Sequence, residues 1–200
     1  MPQGRRNRRF WLPLLAAGLL AGCNTMVAQN PSSPMRPVNA VRDGDESRLV
    51  LRGYDVVAYA TQGRAIPGLQ QYSTTYEGAT YLFSSPEHLE AFRSEPARYQ
   101  PAYHGFDATG IVFAIPEAGD PTVWRVAQGR VFIFADEASK AAFELDLERN
   151  IALADRYWKD EVAGSFSSWQ ALKRRIDRVP HYRSRGELAR EVAAAQPRPG

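Results

Sequence analysis

The chain has little cysteine, little net charge and no long apolar run. Cys23 is the only cysteine among 200 residues, so neither an intramolecular disulfide nor a cluster of thiolate metal ligands can form. The formal net charge is +3, but residues 1–22 hold four arginines and no acid, which leaves 25 − 4 = 21 basic against 22 acidic residues elsewhere. A near-neutral remainder excludes nucleic-acid binding that depends on neutralising phosphates.

Recognisable catalytic motifs are also missing from the sequence. It contains no phosphate loop, dinucleotide fingerprint, zinc motif or nucleophile elbow, and Gly164-Ser-Phe-Ser167 lacks the second glycine that such an elbow needs. We therefore assign no catalytic residue. An enzyme that works through carboxylates is the least favoured hypothesis.

The N-terminus has the layout of an export signal. An arginine-rich start precedes the apolar residues 10–20 and a short stretch of small residues. The 11-residue run is well short of the roughly 20 residues that cross a bilayer. Leu20-Ala-Gly-Cys23 resembles the bacterial lipobox, so we predict a signal peptide over residues 1–22 and covalent lipid, including palmitate-type acyl chains, on Cys23.

This prediction implies a lipoprotein of the bacterial cell envelope that faces the periplasm and is attached to the membrane by its lipid. Asn24 after the cysteine is compatible with sorting to the outer membrane, whereas the general and the twin-arginine export routes both remain open. Residues 23–46 are rich in proline and serine and predict a flexible tether. We expect the folded domain over residues 47–160 and a helical extension and tail over residues 161–200.

Strands and helices are mixed in the folded part, which predicts an α+β domain. Ser85 before Pro86 predicts one helix start, and an apolar stripe after Asp136 predicts a second. Glu77-Gly78 and Gln128-Gly129 predict tight hairpins. Short aromatic or β-branched runs predict strands at residues 49–51, 56–59, 71–75, 80–83, 111–115, 123–126 and 131–134.

The sequence also resembles itself at a spacing of about 50 residues. Gly78, Tyr81, Phe83 and Phe92 recur 51 residues later as Gly129, Phe132, Phe134 and Phe143. Gly53-Tyr-Asp55 recurs 52 residues later as Gly105-Phe-Asp107. We interpret this as two copies of a hairpin-plus-helix unit related by pseudo-twofold symmetry, with chance similarity of two aromatic hairpins as the alternative.

Residues 76–88, followed by Phe92, Pro96 and Tyr99, resemble the YHS domain, with its Tyr-x-Gly-x-x-Tyr-x-Phe strand, small loop and short helix. The longer run over residues 48–160 is similar to the stand-alone exported YHS proteins. In metal-handling members, two cysteines match Ser84 and His88 of this chain. In the exported group, a cysteine or selenocysteine matches Asp107, so the resemblance transfers no thiol or selenol chemistry.

The candidate binding residues are Asp55, His104 and Asp107, together with His88. Two carboxylates and an imidazole in one cleft would suit a divalent metal ion or a proton-transfer pair. The alternative is that each aspartate accepts backbone N–H bonds in its own turn. His88 has no partner in the local sequence, and Tyr54, Tyr59 and Phe106 are candidates for lining a pocket or, alternatively, for the core.

These features favour a non-catalytic, lipid-anchored accessory module that binds a metal ion or a small ligand. The alternative is an interaction scaffold, in which a degenerate YHS core carries a C-terminal segment that binds another envelope protein.

Overall fold

The computed structural model describes residues 49–163, 165 and 167–196, without the side chains of Ser167 and Ser168. These residues belong to one unit, Pro37–Gly200. The leader, Cys23 and the tether lie outside the described residues, so the lipid attachment and the flexible tether stay predictions.

The first repeat unit consists of a turn, a helix, a hairpin and two short helices. A 3₁₀ turn, Val50–Gly53, leads into α1, Val56–Gln62. The hairpin pairs β1, Leu69–Tyr76, with β2, Ala79–Phe83. Two helices follow it, α2 (Pro86–Ser94) and α3 (Pro96–Tyr99).

The second repeat unit has the same order of elements. A 3₁₀ turn, Ala102–Gly105, leads into α4, Ala108–Val112. The hairpin pairs β3, Asp120–Ala127, with β4, Arg130–Phe134. The remaining helices are α5 (Glu137–Glu144), α6 (Leu147–Tyr157) with a π turn at Trp158–Val162, α7 (Ser167–Ile176) and α8 (Arg185–Ala195).

The two hairpins have the same strand register, which supports the predicted duplication. Both are antiparallel, and every pairing in the first recurs 51 residues later in the second, including the irregularity near the start of the longer strand. The turn residues Glu77 and Gln128 both have φ of 50°, and each precedes a glycine with positive φ. The predicted hairpins and the mixed α+β class are confirmed.

Three of the predicted strands are wrong. Residues 56–59 lie in α1, and residues 111–112 end α4, because Asp55 and Asp107 cap these helices at their first turns. Residues 49–51 form an isolated bridge at Leu49 and then a 3₁₀ turn. Short apolar runs have the composition of buried strands, but a buried helix has the same composition.

Strand β4 contributes to both hydrophobic clusters of the core. Val131 and Ile133 pack with the first unit, while Phe132 and Phe134 pack with the second. Alternate residues of a strand point to opposite faces, so one strand joins the two units. The resulting core is continuous through β4.

The C-terminal extension is helical, as predicted, and it packs against the second unit. Ser184 caps α8 in a reciprocal capping box with Glu187. Before α8, Val179 is buried, and His181 Nε2 lies 2.9 Å from the carbonyl oxygen of Val112. Within the described ranges, no helix has the length and apolar character to cross a membrane.

Candidate functional site

Asp55 is a fully buried carboxylate at the start of α1, with a side-chain exposure of 0%. Its Oδ1 accepts hydrogen bonds from the backbone N–H groups of Val57 at 2.9 Å and Ala58 at 3.3 Å. These bonds satisfy two donors that have no partner inside the helix. The Oδ1 atom of Asp55 therefore caps the N-terminus of α1.

The other oxygen of Asp55 binds two residues from the end of the hairpin and the start of α2. Ser84 donates to Oδ2 through its backbone N–H at 2.8 Å and its hydroxyl at 2.6 Å. His88 Nδ1 lies 2.6 Å from the same oxygen. Ser85 and Pro86 begin α2 and place His88 in its first turn.

The partner of His88 therefore comes from 33 residues earlier in the chain, although the local sequence offers none. An ionised Asp55 can only accept, so His88 donates through Nδ1–H, and in the neutral ring Nε2 is then the acceptor. Gln62 Nε2 lies 3.2 Å from that Nε2 at the surface. Asp55 thus orients the largely buried imidazole at Nδ1, and the Nε2 on the surface side of the ring lies within hydrogen-bond distance of Gln62.

This cluster is not a serine nucleophile site. The hydroxyl of Ser84 lies 3.4 Å from His88 Nδ1 and donates to Asp55, whereas a catalytic serine would contact the opposite ring nitrogen.

The cluster fits one metal ligand and its supporting carboxylate. A carboxylate on the rear nitrogen of a metal-binding histidine fixes the ring and raises its basicity. Both oxygens of Asp55 are already used by hydrogen-bond donors, so the residue supports His88 rather than facing an ion. Nowhere in the described ranges does a group of three or more His, Cys, Asp or Glu residues form a metal site.

Asp107 holds the equivalent position in the second unit and is 3% exposed. It accepts from the backbone of Thr109 at 3.3 Å, Gly110 at 3.0 Å and Ala135 at 3.2 Å, and from the hydroxyl of Ser139 at 2.6 Å. Burial raises the pKa of Asp107, and its hydrogen bonds oppose that rise.

Each aspartate therefore accepts backbone N–H bonds from nearby residues, as the second interpretation of the sequence predicted, although it does so as a helix cap and not in an isolated turn. Asp55, His104 and Asp107 do not form the proposed three-ligand metal site, since no such group exists among the described residues. The imidazole of His104 packs against the indole of Trp158, with 5.1 Å between the two ring centroids.

The three candidate pocket aromatics belong to the core. Tyr59 is buried and donates its hydroxyl to the carbonyl oxygen of Pro121 at 2.7 Å. Burial raises the pKa of this hydroxyl well above its ordinary value. Phe106 is buried in the hydrophobic cluster of the second unit, and Tyr54 packs against the hydrophobic cluster of the first unit.

Sequence reasoning missed a cavity of about 130 Å³ beside Asp107. Its walls come from three separate segments: the start of α4 with the loop after it, the first turn of α5, and the C-terminal extension around α8. Residue patterns within one segment do not predict that these three distant segments lie side by side. The 51-residue repeat of the hairpins was the one usable signal, because it aligns His88 with Ser139.

Residues 57–103 match the family model of the YHS domain. The match covers α1, the first hairpin, α2 and α3, and it includes Ser84 and His88. No curated protein and no solved structure matches the chain significantly. The sequence pattern, the hairpin-plus-helix structure and the family model agree, and the chain therefore contains a YHS domain at residues 57–103.

Proposed function

We propose that this protein is a lipid-anchored, non-catalytic accessory module of the bacterial cell envelope, in which His88 of the YHS domain binds a divalent metal ion. One observation carries the proposal: buried Asp55 lies 2.6 Å from His88 Nδ1, which leaves Nε2 as the outward nitrogen. Imidazole suits ions such as Zn²⁺, Cu²⁺ and Ni²⁺.

The proposed site is open. His88 supplies one ligand, Asp55 holds that ligand in place, and water or a partner molecule completes the coordination. Structural metal sites are closed by protein ligands, so a site with open positions suits an accessory role rather than a structural one. The resemblance of Leu20-Ala-Gly-Cys23 to a lipobox supports the membrane-attached location at the periplasmic face of the envelope, and Asn24 after the cysteine supports the outer membrane.

Metal binding by the full chain tests the proposal. The protein is extracted in detergent without a metal-binding tag, and Zn²⁺ and Cu²⁺ are titrated into the wild type, His88→Ala and Glu87→Ala. Glu87 is the neighbouring exposed residue in the same helical turn, so it is the matched control. We expect at least a tenfold loss of affinity in His88→Ala and none in Glu87→Ala. Equal binding by both variants, or no binding by the wild type, contradicts the proposal.

An exposed apolar face on α7 favours a second function, as a scaffold for another envelope protein. Trp169 is 65% exposed, Leu172 47% and Ile176 82%, and their spacing places them on one side of the helix. Large apolar side chains that share an exposed face mark interaction surfaces.

Photo-crosslinking in intact cells tests this second function. A photoreactive residue at position 172 should give an adduct of one defined mass, and the same residue at exposed position 156 in α6 should not. The double variant Trp169→Ser/Ile176→Ser should abolish that adduct. No adduct at position 172, or an unchanged one in the double variant, contradicts the scaffold function.

A further inference from the structure

Asp107 is a buried carboxylate that forms no ion pair with any residue the structure describes. Its Oδ1 accepts three hydrogen bonds, whereas its Oδ2 accepts one, from the backbone of Gly110. Asp55, by contrast, accepts five bonds, one of them from the imidazole of His88. The second unit thus provides its aspartate with fewer donors.

The difference arises at two equivalent positions. Ser139 stands where His88 stands in the first unit, and Ala135 stands where Ser84 stands, in each case 51 residues later. Ser139 reaches Asp107 with a hydroxyl in place of a ring, and Ala135 has no side-chain donor. The cavity of about 130 Å³ is lined by both Asp107 and Ser139, so space is present where the second unit has the smaller residue.

The cavity has the size and the lining of a site for one aromatic ring. An engineered apolar cavity of about 150 Å³ in another protein holds benzene, which sets the scale. Phe113, Ile115 and Leu188 supply apolar walls. The lining also includes the carboxylates of Asp107, Glu117 and Asp136. Arg185 forms ion pairs with Glu117 at 2.8 Å and Asp136 at 3.6 Å, so among the described residues Asp107 is the lining carboxylate that has no ion pair.

We propose that this cavity binds a small nitrogen heteroaromatic base, one ring in size, whose N–H donates to the carboxylate of Asp107. The N–H group of the ligand would donate a hydrogen bond to Asp107, as the imidazole of His88 does to Asp55. The apolar face of the ring would pack against Phe113 and Leu188. This site is separate from His88 and does not depend on metal binding there.

The electrostatics of Asp107 agree with such a ligand. Burial raises the pKa of this carboxyl because the charged form is poorly solvated and no cation contacts it. A protonated base would place a positive charge against this carboxylate, and a hydrogen bond between two charged groups is stronger than one between neutral groups.

Imidazole is the probe for the experiment, and furan is its matched control, since furan is a five-membered ring without an N–H group. The full chain is purified in detergent without imidazole, and both compounds are titrated in the presence of a chelator, which removes binding through a metal. Binding is followed by NMR at the backbone amides of Gly110, Ser139 and Leu188. We expect imidazole to saturate these shifts and furan to leave them unchanged.

Two variants locate the binding. Ser139→His fills the cavity with the residue of the first unit, and it should remain folded and lose imidazole binding at least tenfold. Asp107→Asn should weaken binding by a similar factor. Imidazole binding that is unchanged in Ser139→His, furan binding as strong as imidazole binding, or no shift in the wild type would each overturn the proposal.

Discussion

His88 and Ser139 occupy equivalent positions 51 residues apart, and each hydrogen-bonds to the aspartate that caps the first helix of its own unit. His88 Nδ1 lies 2.6 Å from Asp55, and Ser139 Oγ lies 2.6 Å from Asp107. The same backbone arrangement therefore supports two different environments, a largely buried imidazole in the first unit and a cavity in the second.

Replacing Asp55 with alanine should destabilise the fold by about 3 kcal/mol. The change removes a helix cap and leaves the buried N–H groups of Val57, Ala58 and Ser84 without their acceptor. Urea denaturation followed by circular dichroism measures the loss. The control is Asp160→Ala, an exposed residue with a long ion pair to Arg156 at 3.9 Å, which should change stability by less than about 0.5 kcal/mol. A loss of similar size in both variants contradicts the prediction.

Replacing Gly119 with alanine should cost more than about 2 kcal/mol. A Cβ atom there would lie 2.5 Å from Ile133 Cγ2 and 2.7 Å from the carbonyl oxygen of Gly105, so the backbone of the second unit would have to move. The equivalent Gly68 is equally crowded, with the backbone carbon of Leu82 at 2.5 Å, and should respond in the same way. Thermal unfolding measures both variants.

Gly186→Ala in α8 is the control for this pair. A Cβ there would meet nothing closer than 3.9 Å, and alanine is favoured over glycine in a helix by up to about 1 kcal/mol. We expect this variant to be as stable as the wild type or more so. Wild-type stability in Gly119→Ala would show that the close approach has no energetic consequence.

The stability of the wild type relative to Asp107→Asn should depend on pH. Burial raises the folded-state pKa of Asp107 above the ordinary value of 3.8, so the folded protein binds more protons than the unfolded chain between these two values. The free energy of unfolding of the wild type should therefore rise relative to the variant as the pH falls from neutral. The gain should be complete below pH 3.8.

Denaturation curves of both proteins at a series of pH values provide this measurement. The comparison cancels the other titrating groups, because the two chains differ at one residue. A difference that shrinks as the pH falls would mean that hydrogen bonding outweighs burial at Asp107.

Replacing Cys23 with serine should leave an uncleaved precursor that takes up no lipid. Serine has no thiol to form the thioether on which processing at a lipobox depends. Labelling cells with a fatty acid and comparing the two forms by gel mobility tests this. Normal cleavage of the variant would remove the basis for a lipid anchor.

Local patterns were sufficient to predict the hairpins, the helices at Pro86 and Glu137, and the repeat of about 50 residues. They failed at residues 56–59 and 111–115, because a cap decides whether a short apolar run becomes helix or strand, and composition does not. Asp55 and Asp107 were singled out, but the sequence left open whether they share a binding cleft or accept backbone N–H bonds in their own turns, and it did not predict that they cap helices.

The sequence by itself determined the α+β class, the duplicated unit and the YHS resemblance, because these follow from residue spacing along the chain. The tertiary structure alone decided the partners of each aspartate. Asp55 meets His88 across 33 residues, and Asp107 borders a cavity whose far wall is the C-terminal extension. Contacts between distant segments depend on how the helices and strands pack against each other. The spacing of residues within one segment does not predict that packing.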